Sequence, residues 1–202
     1  MATSSLRLPT DERKAHIVSA LLELACEQRP SEITTSALAA YMGVTQGALF
    51  KHFATKDSMW EAVITWVHLT LIESLEGRAA EATSAVEGLR LIFTAHVAFV
   101  EAHPGAPRVM FHELEQPGDT DAKQQVRALM QRYHQLLARL LKGAMQQGEL
   151  PAALDVEAAS ILFVGMIQGL VMQSMMRASM AGLGERAQRV FAIYLQGLKG
   201  QP

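Results

Sequence analysis

A glycine that interrupts a helical pattern constrains the fold of residues 33–57 more than any other feature of the chain. Apolar residues recur at helical spacing from Leu38 to Met42. Gly43 follows directly, and glycine takes positive φ without strain, so the first helix is expected to end there. A second helix is predicted over residues 46–53. This helix is too short to be stable alone, so the preceding one must hold it in place.

Threonines stand directly before both predicted helices. Thr34 and Thr45 can cap them by accepting hydrogen bonds from free backbone amides. A hydroxyl beside such amides also suits a phosphate. The second helix presents small, polar and basic side chains, namely Gln46, Gly47, Ala48, Lys51 and His52. A short exposed helix held by another is how a helix-turn-helix protein enters the DNA major groove.

The side chains of this second helix suit distinct parts of a DNA duplex. Gln46 can pair bidentately with adenine, although the alternative is an ordinary solvated residue. Gly47 and Ala48 are small enough for the backbone to approach the groove or a thymine methyl group. Three further residues suit phosphates, namely Lys51, His52 and Lys56.

The segment resembles the DNA-binding domain of the TetR/AcrR family of bacterial repressors. The resemblance is carried by Thr34, Leu38, Ala39, Gly43, Val44, Gly47, Ala48, Leu49, Phe50, His52, Phe53, Lys56 and Asp57. Two positions depart from the family pattern. Phe50 stands where tyrosine is common, so a hydroxyl contact to phosphate is lost and Phe50 is left to pack. Ser36 stands where arginine is frequent, and its hydroxyl can still bond a phosphate.

Charge is distributed unevenly along the 202 residues, whose formal net charge is −2. Residues 1–56 hold six Lys and Arg against five Asp and Glu, whereas residues 57–202 hold twelve against fifteen. A positive field is therefore local to the N-terminal part.

The single cysteine, Cys26, excludes an intrachain disulfide and fits a reducing cytosol. Residues 1–16 are polar and lack the apolar core of a signal peptide, so we expect a cytoplasmic protein.

Helical periods throughout, without convincing strand alternation, predict an all-α fold. The predicted order is a three-helix N-terminal domain over residues 1–56, with residues 1–10 disordered and Thr10 capping the first helix, and a helical domain over residues 57–202. The predicted helices span residues 11–28, 56–78, 85–102, 106–115, 121–147, 156–180 and 185–198, in addition to the helix-turn-helix. The long helix from residue 56 joins the two domains without a flexible linker.

Residues 158–176 form a run without a charged side chain. Its length would allow a membrane span, but polar residues interrupt it, so we favour a helix buried by its own domain and by a partner subunit. The resemblance implies a four-helix dimer interface with a two-fold axis, although this helix could also be a monomer's central core helix. The residues assigned to the interface are Ile161, Val164, Gly165, Gly169 and Met172.

The resemblance also implies an effector cavity among the middle helices. Phe111, Met166 and Met172 are predicted to provide apolar lining, with His112 or Gln168 as an orienting hydrogen bond, although each of these residues could simply fill the core. His96 and His103 are too far apart along their helix to share a metal ion, and no cofactor is expected.

The sequence therefore predicts a homodimeric regulator that binds palindromic operator DNA and is released by a mostly apolar small molecule. An architectural DNA-binding protein without an effector is the main alternative. An all-α enzyme is a weaker one, because no catalytic constellation is visible.

Overall fold

The computed structural model describes residues 10–200, which form nine α-helices and no strand. The all-α prediction is therefore confirmed over this range. The helices are α1 (Thr10–Glu27), α2 (Thr35–Tyr41), α3 (Gln46–Phe50), α4 (Lys56–Ala80), α5 (Ala85–Ala102), α6 (Gly105–Glu115), α7 (Asp121–Gln146), α8 (Val156–Met176) and α9 (Leu183–Lys199). A short 3-10 helix, Pro30–Glu32, separates α1 from α2. The disorder predicted for residues 1–9 lies outside the described range, and Thr10 is the first helical residue rather than a cap.

The largest difference from the predicted boundaries is at the end of α8, which stops at Met176 rather than residue 180. Ala178 has a φ of +51°, in the left-handed region. The amide of Ala178 donates to the Met175 carbonyl, and that of Ser179 donates to the Ser174 carbonyl. These bonds form the Schellman motif that ends many helices, here with alanine where glycine is usual.

Residues 10–67 and 104–124 form one compact unit. Its centre is the packing of α6 on α1, and the closest approach is at Gly105. A Cβ added to Gly105 would lie 2.0 Å from the carbonyl oxygen of Leu22, so only glycine fits there. The sequence did not predict that α6 packs on α1, the helix that precedes the helix-turn-helix.

Residues 68–103 and 125–200 form the second unit. Five aromatic rings occupy its core, namely Phe93, Tyr133, Phe163, Phe191 and Tyr194. The Phe93 ring packs edge-on against Phe163 with 5.3 Å between centroids. The Tyr194 hydroxyl donates to the carbonyl of Ala159, 3.0 Å away, which ties α9 to α8. The aromatic rings therefore belong largely to a solid core.

Within residues 10–200, α8 is long and apolar enough to cross a membrane by length and composition alone. A core helix passes the same test, and eight residues of α8 are buried inside the second unit. The burial of these residues favours the prediction that α8 is a core helix rather than a membrane span. Its second apolar face points outward.

Candidate nucleic-acid interface and effector unit

Both predicted threonine caps are confirmed. The Thr34 hydroxyl accepts from the amide of Ala37 at 3.0 Å, and the Thr45 hydroxyl accepts from the amide of Ala48 at 3.3 Å. Both threonines are exposed, so capping leaves their hydroxyl protons free to meet a neighbouring molecule. Contact with phosphate stays a prediction.

The turn between α2 and α3 is formed as the sequence indicated. Gly43 has a φ of +65°, and its amide donates to the Ala40 carbonyl. The next amide, of Val44, donates to the Ala39 carbonyl and completes the motif. Leu49 of α3 is only 1% exposed, so a single buried side chain anchors this five-residue helix. The residues around Leu49 are thereby presented to solvent.

Gln46 is bonded to two hydroxyls at the start of α2. Its Nε2 lies 2.9 Å from the Thr35 hydroxyl oxygen and 2.6 Å from that of Ser36. Sequence reasoning selected Gln46 and Ser36 but missed Thr35 and the bonds among the three. The run of three hydroxyl residues at 34–36 is the sequence signal that could have drawn attention to Thr35.

The predicted basic residues surround the exposed face of α3. Lys51, which caps the C-terminus of α3, is exposed, and Lys56 at the start of α4 is half-exposed. Gly47 is exposed and Ala48 half-exposed, as a close approach to the groove requires.

The two aromatic side chains of this segment behave differently from expectation. Phe50, expected to pack, is 45% exposed, so part of its ring faces solvent on the same surface. His52 is half-buried, and its Nδ1 is fully buried with no hydrogen-bond partner. Only the opposite ring nitrogen of His52 is therefore a candidate for the predicted phosphate contact.

The residues predicted to line an effector cavity are divided between the two units. Phe111 and His112 are half-buried on α6 in the first unit, and the Gln116 side chain donates to the His112 carbonyl. Met166 is half-buried on α8 in the second unit, whereas Gln168 and Met172 face solvent. Neither Gln168 nor Met172 points into its unit, because the buried face of α8 is formed by other residues.

The structure brings together a different polar pair inside the second unit. His96 Nδ1 lies 3.1 Å from the Tyr133 hydroxyl, and the rings are 5.5 Å apart. Burial lowers the pKa of His96 to about 4, so the imidazole is neutral at pH 7. Burial also raises the pKa of Tyr133. A neutral imidazole has one protonated and one unprotonated nitrogen, so Nδ1 and the Tyr133 hydroxyl share one hydrogen bond whose donor is set by the tautomer of His96.

The outward face of α8 is largely apolar, although Gln168 and Gln173 are also exposed there. Ile161 and Met172 are 58% and 46% exposed, and a Cβ added at Gly165 or Gly169 would meet nothing within 4 Å. Val164 is 5% exposed and faces the core of its own unit, so it offers little surface to a second subunit. Three exposed residues that sequence reasoning missed extend the same apolar surface, namely Leu162 and Met176 on α8 and Ile193 on α9.

Acidic, histidine and cysteine side chains do not gather into a metal site. No group of three or more such residues that could hold an ion occurs among residues 10–200.

Two family models match this chain. Residues 17–63 match the model for bacterial regulatory proteins of the tetR family, and residues 82–172 match a tetracyclin repressor-like C-terminal domain. The chain belongs to the TetR family. It is a DNA-binding transcription regulator with a helix-turn-helix domain and a ligand-binding C-terminal domain, and regulators of this family are non-enzymatic transcription factors.

Similar proteins of known sequence include two nucleoid occlusion factors named SlmA. The protein from Marinomonas sp. (strain MWYL1) is 24% identical over 162 residues, which are 80% of this chain and 82% of the relative. That from Vibrio vulnificus (strain YJ016) is 28% identical over 160 residues, 78% of this chain and 81% of the relative.

Solved structures of the same fold include two regulators named FadR. The Bacillus subtilis protein, in complex with stearoyl-CoA, has a TM-score of 0.78 and 23% identity, covering 91% of this chain and 98% of its own. The Bacillus halodurans fatty acid degradation regulator has a TM-score of 0.82 and 20% identity, covering 96% and 99%. The ketosteroid regulator KstR2 of Mycobacterium tuberculosis has a TM-score of 0.77 and 17% identity, covering 94% and 96%. At these identities the similarity establishes the fold.

Proposed function

We propose that this TetR-family regulator is a cytoplasmic repressor that binds a palindromic operator as a homodimer and releases it when an apolar effector binds. Residues 1–56 would contact DNA, and residues 57–202 would bind the effector and the second subunit. The observation that carries the proposal is the exposed α2–α3 surface, where small, hydroxyl and basic side chains surround a helix anchored by one buried leucine.

On this surface α3 would enter the major groove. Gly47 and Ala48 let the helix backbone come close to the bases, and Gln46 stands at the first position of the helix. The phosphate contacts would come from Thr34, Ser36, Thr45, Lys51, His52 and Lys56. Phosphate contacts fix the position of the protein on the duplex, whereas base contacts select the sequence.

The second subunit would pack on the outward face of α8. Large apolar side chains there are about half exposed or more, and burying them in a dimer would be favourable. Gly165 and Gly169 lie four residues apart, so they form a flat strip against which another helix could lie closely. A two-fold dimer matches a palindromic operator whose half-sites lie about 34 Å apart.

The effector is proposed to be a mostly apolar small molecule. Residues 57–202 carry a net charge of −3, which disfavours a polyanion. The neutral His96 ring, beside Tyr133 in an aromatic core, would suit a single polar group on such a molecule. One structural neighbour is described in complex with stearoyl-CoA, and another is described as a ketosteroid regulator. The stearoyl chain and the steroid are both large apolar groups.

Release of DNA would be a shift of population between two states. The effector would favour a state in which the two recognition helices no longer match successive major grooves. The long helix α4 is continuous from the DNA-binding segment into the second unit, so movement there could be transmitted along the chain.

Selection of bound genomic fragments by the purified protein tests the DNA-binding part of the proposal. We expect a palindromic sequence, bound more weakly when an apolar effector from a panel of fatty acids and steroids is added. Met166→Ala should change the response to the effector and leave binding by the free protein intact. A protein that selects no sequence would contradict the proposal.

The similarity to nucleoid occlusion factors favours one alternative, a DNA-binding architectural protein without an effector. A thermal-shift screen separates the two functions. A ligand that binds only the folded state raises the melting temperature. Stabilisation by a compound that also lowers operator affinity supports the repressor, whereas DNA binding that no compound alters supports the alternative.

A further inference from the structure

The Gln46 side chain is held in one orientation by its own protein. Its Nε2 is within hydrogen-bond distance of two hydroxyl oxygens, 2.9 Å from Thr35 and 2.6 Å from Ser36. Thr35 and Ser36 are the first two residues of α2, and Gln46 is the first residue of α3. The turn at Gly43 therefore places the side-chain amide of Gln46, on α3, against two side-chain hydroxyls at the start of α2.

A side-chain amide has two N–H donors and one carbonyl oxygen. A bidentate pair with adenine uses one N–H for base atom N7 and the oxygen for the N6 amino group. Nε2 of Gln46, which carries both N–H groups, faces the two hydroxyls of α2. The protein thus occupies the donors that a bidentate pair would need, and Oε1 is the part of the amide left for DNA.

The phosphate backbone reinforces this orientation. A phosphate oxygen only accepts hydrogen bonds, so a serine or threonine hydroxyl that donates to phosphate can meet the Gln46 amide only as an acceptor. Ser36 is exposed beside α3, where the proposed function places the DNA backbone. A hydroxyl that donates outward to phosphate accepts from the Gln46 amide, which keeps its N–H end toward α2.

We propose that Thr35 and Ser36 hold Gln46 with its carbonyl oxygen outward, so that Gln46 reads one exocyclic amino group in the major groove. The inference rests on the proposed operator binding. The amino group is that of adenine or cytosine, because guanine and thymine present acceptors at the corresponding positions. Gln46 therefore does not use the adenine N6–N7 pair that its residue type alone would suggest.

Base analogues in the selected operator test this inference. The contacted base pair is located first, as the position whose preference disappears in Gln46→Met, which keeps the length of the side chain and removes its polar end. If the base is adenine, it is replaced by purine, which lacks the amino group, or by 7-deazaadenine, which lacks N7. If the base is cytosine, it is replaced by pyrimidin-2-one, and the paired guanine by 7-deazaguanine.

Loss of the amino group should weaken binding roughly fivefold, the effect of one hydrogen bond. Loss of N7 should leave the affinity of the wild-type protein unchanged. Gln46→Glu, whose carboxylate offers only acceptors, should keep the preference for an amino group. A double variant, Thr35→Val with Ser36→Ala, frees the amide and should make binding to an adenine site sensitive to 7-deazaadenine. Thr34 provides the helix cap, so the double variant keeps the start of α2.

Three results would overturn the inference. Equal losses on removing N6 and N7 would show a bidentate contact. A preference for guanine or thymine at the Gln46 position would show that the N–H end faces the base. An unchanged preference in Gln46→Met would show that Gln46 reads nothing, although operator binding, and with it the proposed function, would stand. Failure to select any DNA would contradict both.

Discussion

The chain exposes two helical surfaces of opposite character. On α2–α3 most exposed groups are polar, apart from Tyr41 and Phe50, and several are bonded to one another, as in the Gln46 amide with Thr35 and Ser36. On α8 the exposed groups are large and apolar, and Met176 is 77% exposed. Exposed polar groups cost little in water, whereas each exposed apolar side chain forgoes burial energy. The polar surface is therefore stable in water without a partner, whereas burial of the apolar surface, as in the proposed dimer, would be favourable.

The largest effect is expected from Gly165→Leu, which tests whether the apolar surface needs close approach. The added side chain would separate the paired helices and should weaken the dimer about 100-fold, near the upper cost of overpacking. Sedimentation over a range of concentrations measures the change. Gly77→Leu is a matched control, because Gly77 is also an exposed helical glycine with open space around it. Equal dimerisation by both variants would place the interface elsewhere.

Acid should destabilise the second unit, which carries α8, through a group that lies outside the α2–α3 surface. Burial lowers the pKa of His96 to about 4, whereas an unfolded histidine titrates near 6.5. The unfolded state therefore binds more protons, and stability is complete above pH 6.5 and falls as the pH drops toward 4. His96 keeps some accessible surface, so the loss is expected to be about 2 kcal/mol.

Denaturant unfolding at pH 7 and pH 4.5 checks the acid effect, with protein concentration held constant. His96→Gln should flatten the dependence on pH. His134→Gln should not, because His134 is exposed on α7. If the pH dependence of stability persists in His96→Gln, other titratable groups must cause it.

Lys51→Ala tests whether the polar surface meets phosphate. Binding to operator and to random DNA should weaken alike, by about tenfold at low salt, and the salt slope should fall by roughly one. Titrations at several salt concentrations provide both values. Lys142→Ala, which removes an exposed lysine of α7, should change neither. An unaltered slope in Lys51→Ala would remove Lys51 from the DNA contacts.

The smallest effects are expected at the helix ends that bound the two surfaces. Gly43 lies just after the end of α2 and Ala178 just after the end of α8, and both residues have positive φ. Gly43→Ala should destabilise the protein by about 1 kcal/mol, and Ala178→Gly should stabilise it by a similar or smaller amount. Thermal unfolding measures the pair. Two changes of the same sign would show that effects other than backbone strain dominate one of the sites.

These helix ends also show which parts of the structure were accessible from sequence. Gly43 was recognised because glycine is the usual residue for a left-handed cap, whereas Ala178 carries no such signal. The caps at Thr34 and Thr45 were found because each acts on an amide three residues away. Local chemistry of this kind can be read directly from the order of residues.

Contacts between distant residues could not be predicted in the same way. Gln46 and Thr35 are 11 residues apart, and His96 and Tyr133 are 37 apart, so only the folded chain shows that they meet. The burial of Val164 could not be predicted either, because α8 has apolar residues on both faces and their periodicity does not show which face meets the core.

The approach of Gly105 to the Leu22 carbonyl has a consequence for mutational tolerance. A backbone atom rather than a flexible side chain occupies the space that any other residue would need, 2.0 Å from its Cβ. In a saturation library this position should therefore reject all 19 substitutions, including alanine. Such a profile usually suggests a residue that touches a ligand, but here it would mark the place where two helices share no spare volume.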